Sequence, residues 1–164
     1  MIHYLVGDAT EPQGEGLKII AHVCNNVGAW GAGFTGALDR KSSSVGMAYR
    51  KWFERYSPEL GPEEMLGSVF WTFLQNGLVV ANMVAQNGIG TDRMRIRYNS
   101  LERCLYYVSQ EALANGLPNK TVHMPRIGCG LAGGRWEEVE PIIQRELIAK
   151  GVEVYIYDLP PAAS

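Results

Sequence analysis

Cysteine is scarce in this sequence. Cys24, Cys104 and Cys129 are the only three, an odd number with no CxxC pair and no metal-like spacing. Such usage excludes a disulfide scaffold and points to a reducing compartment. No apolar run approaches the ~20 residues that span a bilayer. The opening MIHYLVGDAT turns polar too early for a secretory signal. The expected location is therefore the cytoplasm, with no membrane partner. A positive surplus is missing as well: 15 Lys and Arg face 17 Asp and Glu, a formal net charge of −2. Duplex nucleic acid, which demands clustered cations, is not an expected partner. The one basic cluster, Arg93-Met-Arg-Ile-Arg97, reads as a local patch. No carboxylate–histidine cluster suggests a metal site, so neither metal nor cofactor is expected. Repeats and low-complexity segments are absent too.

What is present is an ordinary core-forming composition, 46% hydrophobic and 20% charged over 164 residues, enough for one substantial core. A single domain over 1–159 is expected, followed by a loose tail at 160–164. Runs rich in β-branched and aromatic residues, bounded by Gly, Pro or Asn, predict strands at Ile2–Val6, Ile19–Cys24, Val69–Phe73, Leu78–Ala85, Thr121–Met124 and Val152–Tyr157. Helical spacing predicts helices at Phe34–Lys41, Val45–Tyr56, Tyr98–Asn115 and Trp136–Lys150. Asn115-Gly116 and Lys150-Gly151 supply stops for the last two. Strands and helices alternate in the second half, which favours right-handed crossovers and a parallel core. The first strands, and the pair joined near Gln75-Asn76-Gly77, are candidates for antiparallel members, since Asn-Gly is a strong hairpin signal. The expected fold class is α/β: a three-layer α/β/α sandwich around a mixed, mostly parallel sheet of about six strands.

Two stretches stand out within that pattern. HVCNNVGAWGAGF (His22–Phe34) and PRIGCGLAGGRW (Pro125–Trp136) each run from a predicted strand through a glycine cluster into a predicted helix. In an open α/β sheet, ligands bind outside the carboxyl ends of the strands, where such loops lie. A glycine cluster there serves either as a tight strand–helix turn or as an anion site. In the second case exposed N–H groups and the positive helix end hold phosphate. Two loops in equivalent positions favour the second use, as a clamp on a diphosphate. The spacing fits neither the Walker loop nor GxGxxG. Gly7-Asp8-Ala9-Thr10, after the first strand, adds a carboxylate able to accept from an exocyclic amine or a ribose hydroxyl; the alternative is a local cap.

In this order the three stretches resemble the macro domain, the ADP-ribose-binding fold. Within that family they are most similar to a branch of ADP-ribose 1″-phosphate phosphatases and terminal ADP-ribose glycohydrolases. Trp30, close to glycines on both sides, reads either as lying over the cleft, the favoured place, or as a cap on the core. The resemblance implies that Asp8 and Ala9 face adenine and that Asn25 and Asn26 lie near the distal ribose. It implies too that the amides of Gly31, Ala32, Gly33 and Phe34, with Ile127 and the amides of Gly128, Cys129, Gly130 and Leu131, hold the diphosphate. Tyr157 and Asp158 would bracket the adenine. Where the family's protein-directed hydrolases carry a lysine and an aspartate, this sequence carries Gln86 and Ala132. Gln86 cannot form a covalent adduct with the ribose aldehyde and Ala132 cannot act as a base.

The chemistry left is hydrolysis of a terminal phosphate, with His22, Asn25 and Asn26 as the candidate catalytic residues. His22 is either an acid or base near neutral pH or a buried brace for the loop. Asp39, Asp92 and His123 are weaker candidates, and Cys129 reads as a small packed hydrophobe. The expected ligand is ADP-ribose or a derivative, free or on ADP-ribosylated macromolecules. The alternatives to a phosphatase are a non-catalytic ADP-ribose-binding module and a de-ADP-ribosylating hydrolase that uses water attack.

Overall fold

A computed structural model describes residues 1–114 and 118–161. The expected stop at Asn115-Gly116 and the tail beyond 161 lie outside the described residues. Six strands form one sheet: β1 (Ile2–Val6), β2 (Lys18–Asn25), β3 (Val69–Phe73), β4 (Val79–Gln86), β5 (Thr121–Met124) and β6 (Val154–Asp158). Their spatial order is β1-β6-β5-β2-β4-β3. The helices are α1 (Phe34–Lys41), α2 (Ser43–Tyr56), the short α3 (Pro62–Met65), α4 (Tyr98–Ala112) and α5 (Trp136–Glu146). No described helix is long and apolar enough to cross a membrane.

The sheet is mixed and mostly parallel. β1 pairs parallel with β6, and β2 pairs parallel with both β4 and β5, so the antiparallel role expected of the first strands is corrected. Among the named strands only β3 runs antiparallel, against β4. Its hairpin turn has Asn76 at φ 62° and Gly77 at φ 74°, the left-handed pair that matches strand twist. β1 begins a parallel pairing because its partner arrives last in the chain, after three crossovers; nothing local in Ile2–Val6 records that.

β2 and β4 are buried on both faces, which is why they read as continuous apolar runs. Ile19 and Ala21 join Met83, Leu101, Leu105 and Ile143 in a core under α4 and α5. Ile20 and Val80 point the other way, onto Leu38 and Val45 of α1 and α2. The last helix is shorter than its spacing predicts. It closes at Glu146, a 3-10 turn follows over Ile148–Lys150, and Gly151 ends it at φ 88°. Because β5, β2 and β4 are neighbours and parallel, the segments leaving their carboxyl ends emerge side by side.

Candidate functional site

Loop one leaves β2 at Asn25, and its shape is written in that side chain. Asn25 Oδ1 accepts from the amides of Val27 (3.0 Å) and Ala29 (3.1 Å), and its Nδ2 donates to Ala29 O at 2.7 Å. The buried hydroxyl of Tyr49 lies 2.8 Å from the same Oδ1 and accepts from Gly28 N at 3.1 Å. Asn26 is equally occupied: Nδ2 donates to Pro62 O (2.9 Å) and Asn87 Oδ1 (3.0 Å), and Oδ1 accepts from Gly88 N (2.9 Å). Both asparagines are therefore builders of the loop, with amide groups engaged by the protein. Their place near the distal ribose, which the resemblance implies, would therefore rest on the loop they shape rather than on free side-chain amides.

Beyond Trp30 the chain turns outward. Gly33 sits at φ 60°, ψ −131°, a conformation that side chains resist, and immediately starts α1. Thr35 Oγ1 accepts from Gly31 N and donates to Ala32 O, each at 2.8 Å, which locks the exposed turn. Loop two leaves β5 at Pro125 and folds over itself, with Gly134 N donating to Gly128 O at 2.7 Å. A Cβ on Gly134 would stand 2.5 Å from that oxygen, so only glycine allows the crossing. The loops meet: a Cβ placed on Gly33 would touch Leu131 Cδ1 at 3.5 Å. Among the described residues, the N–H groups of Ala32, Gly33, Phe34, Gly128, Gly130 and Leu131 find no acceptor in the protein. Those of Gly31 and Cys129 do, in Thr35 Oγ1 and Arg126 O. Six of the eight expected amides thus stand free on adjoining loops.

The remaining residues divide between rim and interior. Asp8 Oδ1 accepts from Thr10 N (2.9 Å) and Thr10 Oγ1 (2.8 Å), a local turn at the end of β1, and Ala9 is buried. Ile127 packs in the core beneath loop two, so its side chain is not in the cleft. Cys129 is half-buried, its Sγ 3.4 Å from Ile127 O, and burial pushes its thiol up, so it rests protonated. Trp30 packs edge-on to His22 and beside Tyr49, and its Nε1 donates to Asp39 Oδ1 at 3.0 Å. It backs loop one against α1 and α2. Tyr157 is only 3% exposed, with a hydroxyl that accepts from Gln13 N (2.8 Å) and pairs with His123 Nδ1 (2.7 Å), so its ring is not open to a base. Asp158 is fully bridged by Arg126 (2.8 and 2.9 Å), whose guanidinium holds that carboxyl below the usual range. Arg126 in turn lies over Tyr4 and Trp136.

His22 is 1% exposed, and its Nε2 lies 2.6 Å from Asn82 Oδ1. Asn82 Nδ2 donates to Phe70 O and Thr72 Oγ1, so the oxygen is the acceptor and His22 Nε2 carries the proton. Burial lowers its pKa to about 4, outweighing the bond to Asn82, which acts in the opposite direction. The ring is neutral at pH 7 and is shielded by Trp30 and Phe34. Gln86 Nε2 donates to Gly88 O, and Ala132 is buried. Among the described residues no group of three His, Cys, Asp or Glu could hold a metal ion. A separate cavity of about 950 Å³, lined by Lys18, Lys41, Ser42 and Gln75, opens at the amino ends of β2 and β4 and shares no residue with the loops. The free amides, which a hollow alone does not supply, make the loops the stronger candidate.

Sequence reasoning passed over a third glycine-bearing strand end. Asn87-Gly88-Ile89-Gly90 follows β4, beside loop one, and the signal that found the other two loops was present there. It also passed over Tyr49, whose hydroxyl knits loop one from within helix α2 and which no local motif marks.

Together these features define a class: a three-layer α/β/α protein whose glycine loops leave the carboxyl ends of neighbouring central strands in a mostly parallel sheet. No model of a known protein family matches the sequence. The structure of a macrodomain protein from Streptomyces coelicolor is 39% identical, with a TM-score of 0.80 over 96% of this chain and 99% of that one. Chromodomain-helicase-DNA-binding protein 1-like from Mus musculus is 31% identical over 97% of this chain, which spans only 18% of that relative's length. An ADP-ribose 1″-phosphate phosphatase from Lodderomyces elongisporus is 24% identical over 96% of this chain and 99% of its own. The chain belongs to the macro domain family.

Proposed function

We propose that the protein binds ADP-ribose or a derivative across the carboxyl ends of its strands and hydrolyses ADP-ribose 1″-phosphate. The observation that carries this reading is the contact of loops one and two, with six acceptor-free amides on the two sides of Gly33 and Leu131. Consecutive N–H groups on glycine loops suit a diphosphate, and the start of α1 adds its positive end. The sheet order suits a ligand laid across the strand ends. From β1 to β4 there are four strand intervals, β1-β6-β5-β2-β4, or roughly 19 Å at ~4.8 Å each. An extended nucleotide diphosphate sugar is of that length. Its adenine then lies near Asp8 and Ala9, with Arg126 and Asp158 at the rim, and the diphosphate lies on the two loops. Its terminal ribose lies beyond Asn25 and Asn26, against the loop after β4.

In the reaction, water attacks the terminal phosphorus and the sugar oxygen leaves. The protein's contribution is to hold the diphosphate and to meet the charge on the transferring group with fixed donors. His22, neutral and enclosed, contributes by holding β2 and Trp30 in place, and Asn25 and Asn26 by shaping the donors. The likeness to the Lodderomyces ADP-ribose 1″-phosphate phosphatase supports a phosphatase, and the absence of lysine and aspartate at Gln86 and Ala132 weighs against the covalent hydrolase route. The test couples calorimetric binding of ADP-ribose with phosphate release from ADP-ribose 1″-phosphate. Binding accompanied by release is the expected result; binding without release leaves a recognition module, and absence of both removes the reading.

A further inference from the structure

The loop after β4 runs from Asn87 to Ile96 and is bonded to both glycine loops. Gly88 N and Asn87 Oδ1 meet Asn26, while the amides of Arg95 (2.7 Å) and Ile96 (3.2 Å) donate to Ala132 O in loop two. Its own ends close through Asn87 N to Arg95 O at 2.8 Å. The Arg95 side chain folds back over this loop and is only 18% exposed. Bare backbone makes the room: a Cβ on Gly88 would stand 3.1 Å from Nη1, and one on Gly90 3.3 Å from Nη2. Nη2 donates to Asp92 Oδ1 at 2.6 Å, but Asp92 is itself largely exposed. Arg95 Nε is screened from solvent and has no acceptor, the one such side-chain atom among the described residues.

A buried, unpaired N–H on a permanent cation is costly and rare, and calls for a cause. Here the guanidinium is fixed beside the strand end where the terminal ribose falls in the reading above, on which this step rests. A planar fork with donors to spare is suited to the oxygens of a phosphate monoester and has no comparable use for a neutral hydroxyl or an acyl ester. We infer that Arg95 is a specificity-determining residue that reads a phosphate on the terminal ribose. Asp92 holds the fork in its resting position and competes with that phosphate.

The experiment measures affinity for ADP-ribose 1″-phosphate and for ADP-ribose by rapid mixing, read before turnover, and takes their ratio. Arg95→Met keeps the apolar stem over Gly88 and Gly90 and removes the fork. It is expected to lower the preference for the phosphorylated ligand by about tenfold or more, in line with the loss of a charge-assisted bidentate contact. Arg95→Lys, a point charge on a similar stem, recovers part of the preference, and Asp92→Asn raises it. An unchanged ratio in Arg95→Met, or in Arg95→Lys if the methionine variant does not fold, overturns the assignment. If the unaltered protein binds neither ligand, the ADP-ribose reading itself has failed, an outcome distinct from an unchanged ratio.

Discussion

Trp30 and Asp39 are joined across the top of α2, the indole Nε1 donating to Oδ1 at 3.0 Å directly above Gly46. A Cβ on Gly46 would lie 2.6 Å from that nitrogen and 2.9 Å from that oxygen. The pair fixes the end of loop one, and glycine at 46 is what lets helix and indole approach.

Gly46→Ala therefore sets two effects against each other. Helix propensity favours alanine by ~1 kcal/mol, whereas overpacking costs about 1–3 kcal/mol. Neither Trp30 nor Asp39 can withdraw without breaking the bond, so overpacking wins. A lower thermal midpoint together with weaker ADP-ribose binding is expected. A raised midpoint would mean that the indole is not held where the structure has it.

At Gly33 the steric and electrostatic consequences separate. Gly33→Ala meets Leu131 at an ordinary 3.5 Å, and its main penalty is the backbone at φ 60°, ψ −131°, outside the left-handed helical region, roughly 1–3 kcal/mol of strain. Gly33→Glu adds a carboxylate where the diphosphate is to lie. Like charges at an interface cost several kcal/mol, so affinity for ADP-ribose should fall more than ~100-fold. Titration calorimetry on both folded variants checks this: an unimpaired glutamate variant would remove loop one from phosphate binding.

Much of this was legible in the chain. The Leu101, Cys104, Leu105, Val108, Ala112 stripe became the buried face of α4, and the two glycine clusters fell at adjacent parallel strand ends. Less legible was the direction of polar side chains at those ends. Asn25 and Asn26 are successive residues that a motif cannot tell apart from ligand contacts. Their roles depend on Tyr49, Pro62 and Asn87, distant in sequence. Tyr157 shows the same limit: strand alternation gives it a face, but not the Gln13 amide and His123 ring that enclose its hydroxyl. The pairing of β1 with β6 joins the two ends of the chain, beyond the reach of any local signal.

Acid sensitivity follows from the two enclosed histidines. Burial is the main cause that lowers both His22 and His123 to about 4, with Lys18 adding repulsion at His123. Each binds a proton more readily unfolded, near pH 6.5, than folded. Their contribution to stability is thus complete above about pH 6.5 and is lost as the pH falls towards 4. Thermal midpoints should decline steadily across that window. His22→Gln, which removes one titrating group, should flatten the decline while lowering the midpoint at pH 7. An equal slope in the variant would show that His22 does not titrate there.

Loop one is held in shape by Asn25, Tyr49 and Thr35 with no ligand required. The entropy of ordering that turn is consequently settled during folding, leaving little to be lost when a partner arrives. A preorganised receptor of this kind associates without waiting for rearrangement, and its backbone should superimpose closely between empty and occupied forms.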